Sequence, residues 1–72
     1  MDKFGTKLHA LREQRGLTVR QLATMLGIKS HTHIVGLETG KHKPSVDFVL
    51  KVANFFDVST DKLMKDELEI SS

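Results

Sequence analysis

Cysteine is absent from this 72-residue chain, so neither a disulfide nor a thiolate-held metal can reinforce the core, which has to come from helix packing or from a partner chain. Proline occurs once, at Pro44; with 39% hydrophobic and 28% charged residues, the composition is that of a chain that folds rather than one that stays disordered. Long apolar runs are missing too. The opening stretch "MDKFGTKLHALREQRG" is charged throughout, without the roughly 7–15 consecutive apolar residues of a signal peptide, and nothing approaches the roughly 20 of a membrane span. A cytoplasmic location with no membrane partner is therefore expected. A chain this short encloses one small core only, which excludes two domains.

Neither sign of charge dominates the whole, since the net charge is +2, but the distribution is uneven. Residues 1–43 hold eight Lys or Arg against three acids, or +5, and residues 44–72 hold three against six, or −3. Any basic partner surface thus belongs to the first half. Scattered lysines on a solvated surface account for that bias equally well, so charge alone leaves both open.

What the chain does have is helical periodicity. Phe4, Leu8 and Leu11 recur at i, i+4, i+7 between charged residues, the stripe of an amphipathic helix ending at Gly16. Thr18 followed by Gln21 is a capping-box pattern that opens a second helix with Val19, Leu22, Ala23 and Leu26 on one face, stopped by Gly27. Ser30 is the N-cap candidate of a short third helix with Ile34 and Leu37 inward, ending near Gly40. "KHKPS" is a loop, Ser45 caps a fourth helix running to about Phe56, and Ser59 caps a short fifth with Leu63 and Met64. No strand-like alternation competes, so the expected fold is all-α with five helices over residues 1–66. Residues 67–72 form a tail with no cap, in which Leu68 and Ile70 could still dock on a neighbour.

The chemistry these residues exclude narrows the function. His31 and His33 are two apart on a helix, about 200° from each other, and cannot chelate one ion; with no cysteine and no third ligand on the same face, no metal and no cofactor are expected. His9 and His42 stand alone and read as plain surface residues. No nucleophile has a base at a useful spacing, and there is no glycine-rich phosphate loop and no pair of acids on one helical face. Neither an enzyme nor a small-molecule substrate is indicated.

Helices at 18–26 and 30–39 joined by "GIK" fit a helix-turn-helix, whose second member enters the major groove, and fit an αα-hairpin of any helical bundle as well. The wider sequence separates the two. "LREQRGLTVRQLATMLGI", then "IVGLETGKHKPS", then "VLKVANFFDVSTDKLM" resembles the phage-repressor and Cro-like (XRE-type) helix-turn-helix DNA-binding family along nearly the whole chain. The resemblance implies five helices, with the third reading base edges in double-stranded DNA, and a structural pair between an arginine of helix one and a glutamate late in helix three, here Arg12 and Glu38. It places Ser30, His31, Thr32 and His33 in the exposed first turn of the reading helix, with His31, Thr32, His33, Val35 and Gly36 as base readers. The segment Glu38-Thr39-Gly40-Lys41-His42-Lys43-Pro44-Ser45 then brings Lys41, Lys43 and the helix-four end at Ser45 toward phosphates, joined by Arg20, Gln21, Lys29 and Ser30 from the other side. The chain departs from the family in having Val19 after the helix-two cap, one extra residue between Gly27 and Glu38, and glycine at position 36.

Helix four carries more apolar surface than one core needs. Its apolar residues span roughly 220° against the roughly 100° stripe of a surface helix. Matching Val46, Val49, Leu50, Ala53 and Phe56 to the inward positions of the family leaves Phe48, Val52 and Phe55 as a surplus edge. That edge is expected to be a homodimer contact or, alternatively, to be covered by the chain's own tail. Two functions of different class stand at this point: a sequence-specific DNA-binding transcriptional regulator on a palindromic operator, and a small helical protein-interaction module without DNA contact.

Overall fold

The computed structural model describes residues 2–70 as five helices, with no strand among the described residues. They are α1 (Phe4–Gln14), α2 (Val19–Met25), α3 (His31–Glu38), α4 (Val46–Phe56) and α5 (Thr60–Met64). The fold is all-α, as the periodicity implies.

Local chemistry accounts for most boundaries. Thr18 and Gln21 form a reciprocal capping box: the Gln21 N–H donates to Thr18 Oγ1 at 3.0 Å, and the Thr18 N–H donates to Gln21 Oε1 at 2.9 Å. Ser45 and Ser59 each accept the N–H three residues on, at 3.1 and 3.2 Å. Ser30 occupies the N-cap position of α3 in extended conformation, yet its hydroxyl makes no cap hydrogen bond. The α2 helix stops because Gly27 takes the left-handed conformation at φ 73°, which lets the Ile28 N–H turn back onto the Ala23 carbonyl at 2.8 Å.

The start of α1 has no local cap. Its free N–H groups at Asp2 and Lys3 donate instead to the Asp66 carboxylate, at 3.1 and 3.0 Å, across 64 and 63 positions of sequence. One turn into the helix, the buried Lys7 ammonium donates to the carbonyls of Lys62 and Lys65 at 2.5 and 2.7 Å, neutralising the C-terminal end of α5. Thus α1 and α5 satisfy each other's ends. No sequence spacing announces either contact, because both partners lie more than fifty residues away.

Fourteen apolar side chains form one core, centred on Phe4, Leu8, Leu22, Ile34, Leu37, Val52 and Leu63, each about 1% exposed or less. The orientation of α4 corrects the reading from sequence. Its buried arc is Phe48, Val49, Val52, Ala53 and Phe56, while Val46 and Leu50 are 73% and 46% exposed. Phe48 meets Phe4 edge-on at 6.1 Å between ring centroids, and Val52 is fully enclosed, so neither is a free dimer contact. Phe55 is half-buried against the core, with the Arg15 guanidinium 5.9 Å from its ring centroid, and is likewise engaged within the chain. The helix is rolled about 60° from the expected setting. A 220° apolar arc fits many settings; packing Phe48, the bulkier side chain, against Phe4 selects this one. Ile70 of the tail packs on the core beside Leu11 and Phe56, at the end of α1 rather than over the outer side of α4. Ser71 and Ser72, the end of the expected tail, lie outside the described residues.

Candidate nucleic-acid interface

The α2 and α3 helices are joined by the five residues Leu26–Ser30, with Ile28 tucked against the core and Lys29 and Ser30 exposed. Burying Leu22, Ala23 and Leu26 on one helix and Ile34 and Leu37 on the next leaves each helix one outward side. At about 100° per residue, His31, Thr32 and Val35 share the outward arc of α3. Thr32 and Val35 are exposed and His31 is partly so. The free Ser30 hydroxyl sits at the start of this face.

His33 and Gly36 do not belong to that arc. Gly36 is buried, its carbonyl accepts the His42 N–H at 3.0 Å, and a Cβ there would collide with the His42 ring. Gly36 therefore lies under that ring and off the exposed arc, whereas the sequence placed it among the exposed residues of the helix. His33 is exposed but turned sideways, its ring stacked on His42 at 5.6 Å and meeting Phe48 edge-on at 6.2 Å. His42 is accordingly no isolated surface residue.

Arg20 and Gln21 in the first turn of α2, Lys29 in the turn before α3, and Lys41 and Lys43 in the loop between α3 and α4 are all exposed. None of these four cations makes a side-chain hydrogen bond or ion pair among the described residues. Ser45 is exposed, with its hydroxyl occupied as the α4 cap. The helix-turn-helix region thus combines an exposed polar and apolar arc with four exposed cations that make no ion pair among the described residues, a composition able to bind a polyanion.

The C-terminal end of α3 is held firmly. Arg12 Nε donates to Glu38 Oε2 at 2.7 Å and Nη2 to Oε1 at 3.1 Å, a forked pair whose side chains are 13% and 7% exposed. Arg12 Nη1 also donates to the Leu17 carbonyl at 2.7 Å, joining the α1–α2 turn to the pair. The hydrogen bond to Glu38 holds the guanidinium pKa above its already high ordinary value, against the opposing effect of burial. His9 adds a member that composition did not reveal, with Nδ1 2.9 Å from Glu38 Oε1 and Nε2 3.0 Å from Glu13 Oε1. Its spacing from Arg12 and Glu13, three and four positions on one helix, was the available signal. Gly5 lets the helices approach this closely: a Cβ there would sit 2.5 Å from the Leu37 carbonyl oxygen and 2.6 Å from that of Glu38.

The sequence model of the helix-turn-helix family matches residues 8–63. The chain belongs to the XRE-type helix-turn-helix family. Among curated relatives, it is 42% identical over 65 residues to the HTH-type transcriptional repressor RghR of Bacillus subtilis, covering 89% of this chain and 47% of that protein. It is 37% identical over 65 residues to the HTH-type transcriptional activator BcrR of Enterococcus faecalis, covering 90% and 31% respectively. It is also 37% identical over 57 residues to an uncharacterized HTH-type transcriptional regulator of Methanocaldococcus jannaschii, covering 79% of this chain and 85% of that one. The chain therefore spans half or less of the length of the first two relatives and most of the third.

As a member of this family, the chain presents α2, the turn and α3 as its helix-turn-helix, with Arg12–Glu38 fastening α3 to α1 from behind. Five residues, 26–30, separate α2 from α3, and Ile34 and Leu37 face inward. Among the described residues no group of three or more His, Asp or Glu side chains could hold a metal ion, and no helix is long and apolar enough to cross a membrane.

Proposed function

We propose that this chain binds double-stranded DNA as a transcriptional regulator, with α3 in the major groove and two copies on a palindromic site. The observation that carries this reading is the solvent-facing arc of α3, His31, Thr32 and Val35, on a helix preceded by the exposed Lys29 and followed by the exposed Lys41 and Lys43, with Arg20 exposed on α2. Hydroxyl and imidazole groups can exchange hydrogen bonds with base edges, and Val35 can meet a thymine methyl. The cations, the Gln21 amide, the Ser30 hydroxyl and the backbone N–H groups at the Ser45 end of α4 suit phosphates, which position the domain without carrying sequence information. One relative is named a repressor and another an activator, so the direction of control is not a property of this fold. Such a function places the protein in the cytoplasm and calls for no catalytic chemistry.

Self-association rests on the two-fold symmetry of a palindromic site and on Val46 and Leu50, apolar, exposed and one turn apart on α4. The test is selection of bound sequences from random duplex DNA, read with affinity against salt and sedimentation of Leu50→Glu. An enriched inverted repeat, affinity falling steeply with salt, and weaker association of the variant are expected. No enrichment, with binding flat in salt, would leave a protein-interaction module whose contact is the α4 face.

A further inference from the structure

His42 lies in the loop that carries the two lysines nearest the end of α3, and three separate contacts hold it to that helix. Its backbone N–H donates to the Gly36 carbonyl at 3.0 Å. Its ring covers Gly36 so closely that a Cβ there would have to push the ring aside. The ring also stacks on His33, 5.6 Å between centroids with planes 26° apart, and His33 in turn meets Phe48 edge-on. The chain thus runs from α3 through His33 and His42 to the loop, with Phe48 of α4 closing the stack from below. Lys41 and Lys43 flank His42 directly, and among the described residues neither side chain has a hydrogen-bond or ion-pair partner, so the His42 contacts are what tie their loop to α3.

We propose that His42 is a positioning residue for DNA binding: its ring, seated on Gly36 and stacked on His33, locks Lys41 and Lys43 in register with the reading helix. Glycine at position 36 is the seat for the ring. His33 is the stacking partner and not a base reader. The inference rests on the DNA-binding reading above and adds to it a residue that touches no DNA. The physical effect is preorganisation: a loop held in place before binding loses less freedom when its lysines engage phosphates. Because phosphates are alike at every step, loosening the loop weakens all sequences together and leaves base preference unchanged.

The test measures affinity of the full chain for a selected duplex and for a mixed-sequence duplex, alongside imidazole proton spectra of the free protein. His42→Ala is expected to weaken both duplexes by about three- to tenfold, the cost of ordering a freed loop, and to abolish the ring-current shift at His33. Gly36→Ala should do the same while remaining at least as stable as wild type, since the exposed imidazole swings aside and alanine favours the helix. His42→Phe, which keeps a flat ring without a charge, should bind within about twofold of wild type, whereas His42→Lys, which keeps a cation without a ring, should stay weak. A His42→Lys variant that binds normally while His42→Phe is weak would make His42 a direct phosphate contact and overturn the proposal. Wild-type affinity in Gly36→Ala, or in His42→Ala, overturns it as well. Wild-type protein that binds no duplex at all removes the DNA reading itself, and this proposal with it.

Discussion

The inward and outward sides of α3 handle charge in opposite ways. Inward, Glu38 accepts two hydrogen bonds from Arg12 and faces His9, with both members of the ion pair largely buried. Outward, Arg20, Lys29, Lys41 and Lys43 are exposed on the flanking elements without a single ion pair among the described residues. A protein that only needed to fold would gain from neutralising those cations, if weakly, since exposed pairs contribute at most about 1 kcal/mol. Leaving them unpaired keeps them available to an anionic partner, while the buried pair on the other side fixes the angle at which the helix is presented. The comparison teaches that the charge fixing α3 is buried and paired, while the exposed charge on the neighbouring elements is left free of such constraint.

The division can be broken most severely from the inward side. Glu38→Gln or Arg12→Ala leaves the other member buried and without its partner, and either should cost about 3–5 kcal/mol in a denaturation experiment. A Glu38→Gln protein that melts like wild type would show the pair to be solvated. Gly5→Ala comes next: a Cβ pressed against the backbone carbonyls of Leu37 and Glu38 cannot be relieved by a side-chain rotation, so α1 and α3 must separate, at about 1–3 kcal/mol. That variant should also spread the Arg12–Glu38 contact, which is readable as loss of additivity with Arg12→Ala.

From the outward side, substitutions should touch binding and not folding. Thr32→Ala is expected to change the preferred base at one position by about 1–3 kcal/mol, measured as an altered selected-site profile with an unchanged melting temperature. Lys43→Ala should lower affinity for every sequence and reduce the slope of log affinity against log salt by about 1. If Lys43→Ala altered base preference, or Thr32→Ala weakened all sequences equally, the assignment of base-facing and phosphate-facing residues would be reversed. The smallest effect belongs to neither side. The Asp66 carboxyl is held below its ordinary pKa, chiefly by the N–H of Lys3, so its contribution is present above the usual carboxylate range and lost as the pH falls below about 4. Asp66→Asn should flatten that acid limb of a stability profile and leave neutral-pH DNA binding untouched.

Much of the scaffold was legible in the order of residues because it depends on near neighbours. Caps such as Thr18–Gln21, the i, i+4 stripe of α1 and the stop at Gly27 follow from groups within a few positions of one another, so the five helices and most of their limits are decided locally, the start of α1 excepted. The positions of the exposed cations belong to the same class, because a lysine in a short loop has nowhere to go but solvent. Tertiary structure decided what depends on distant groups. Which part of the broad apolar arc of α4 faces inward was settled by Phe48 meeting Phe4, and the arc itself is compatible with several settings. Lys7 is buried on α5 carbonyls and Asp66 caps α1 because chain ends far apart in sequence meet in space. His33 and Gly36 are engaged by one imidazole in the next loop, a contact that no periodicity encodes, since a helical wheel counts positions on one helix and is blind to what packs against them.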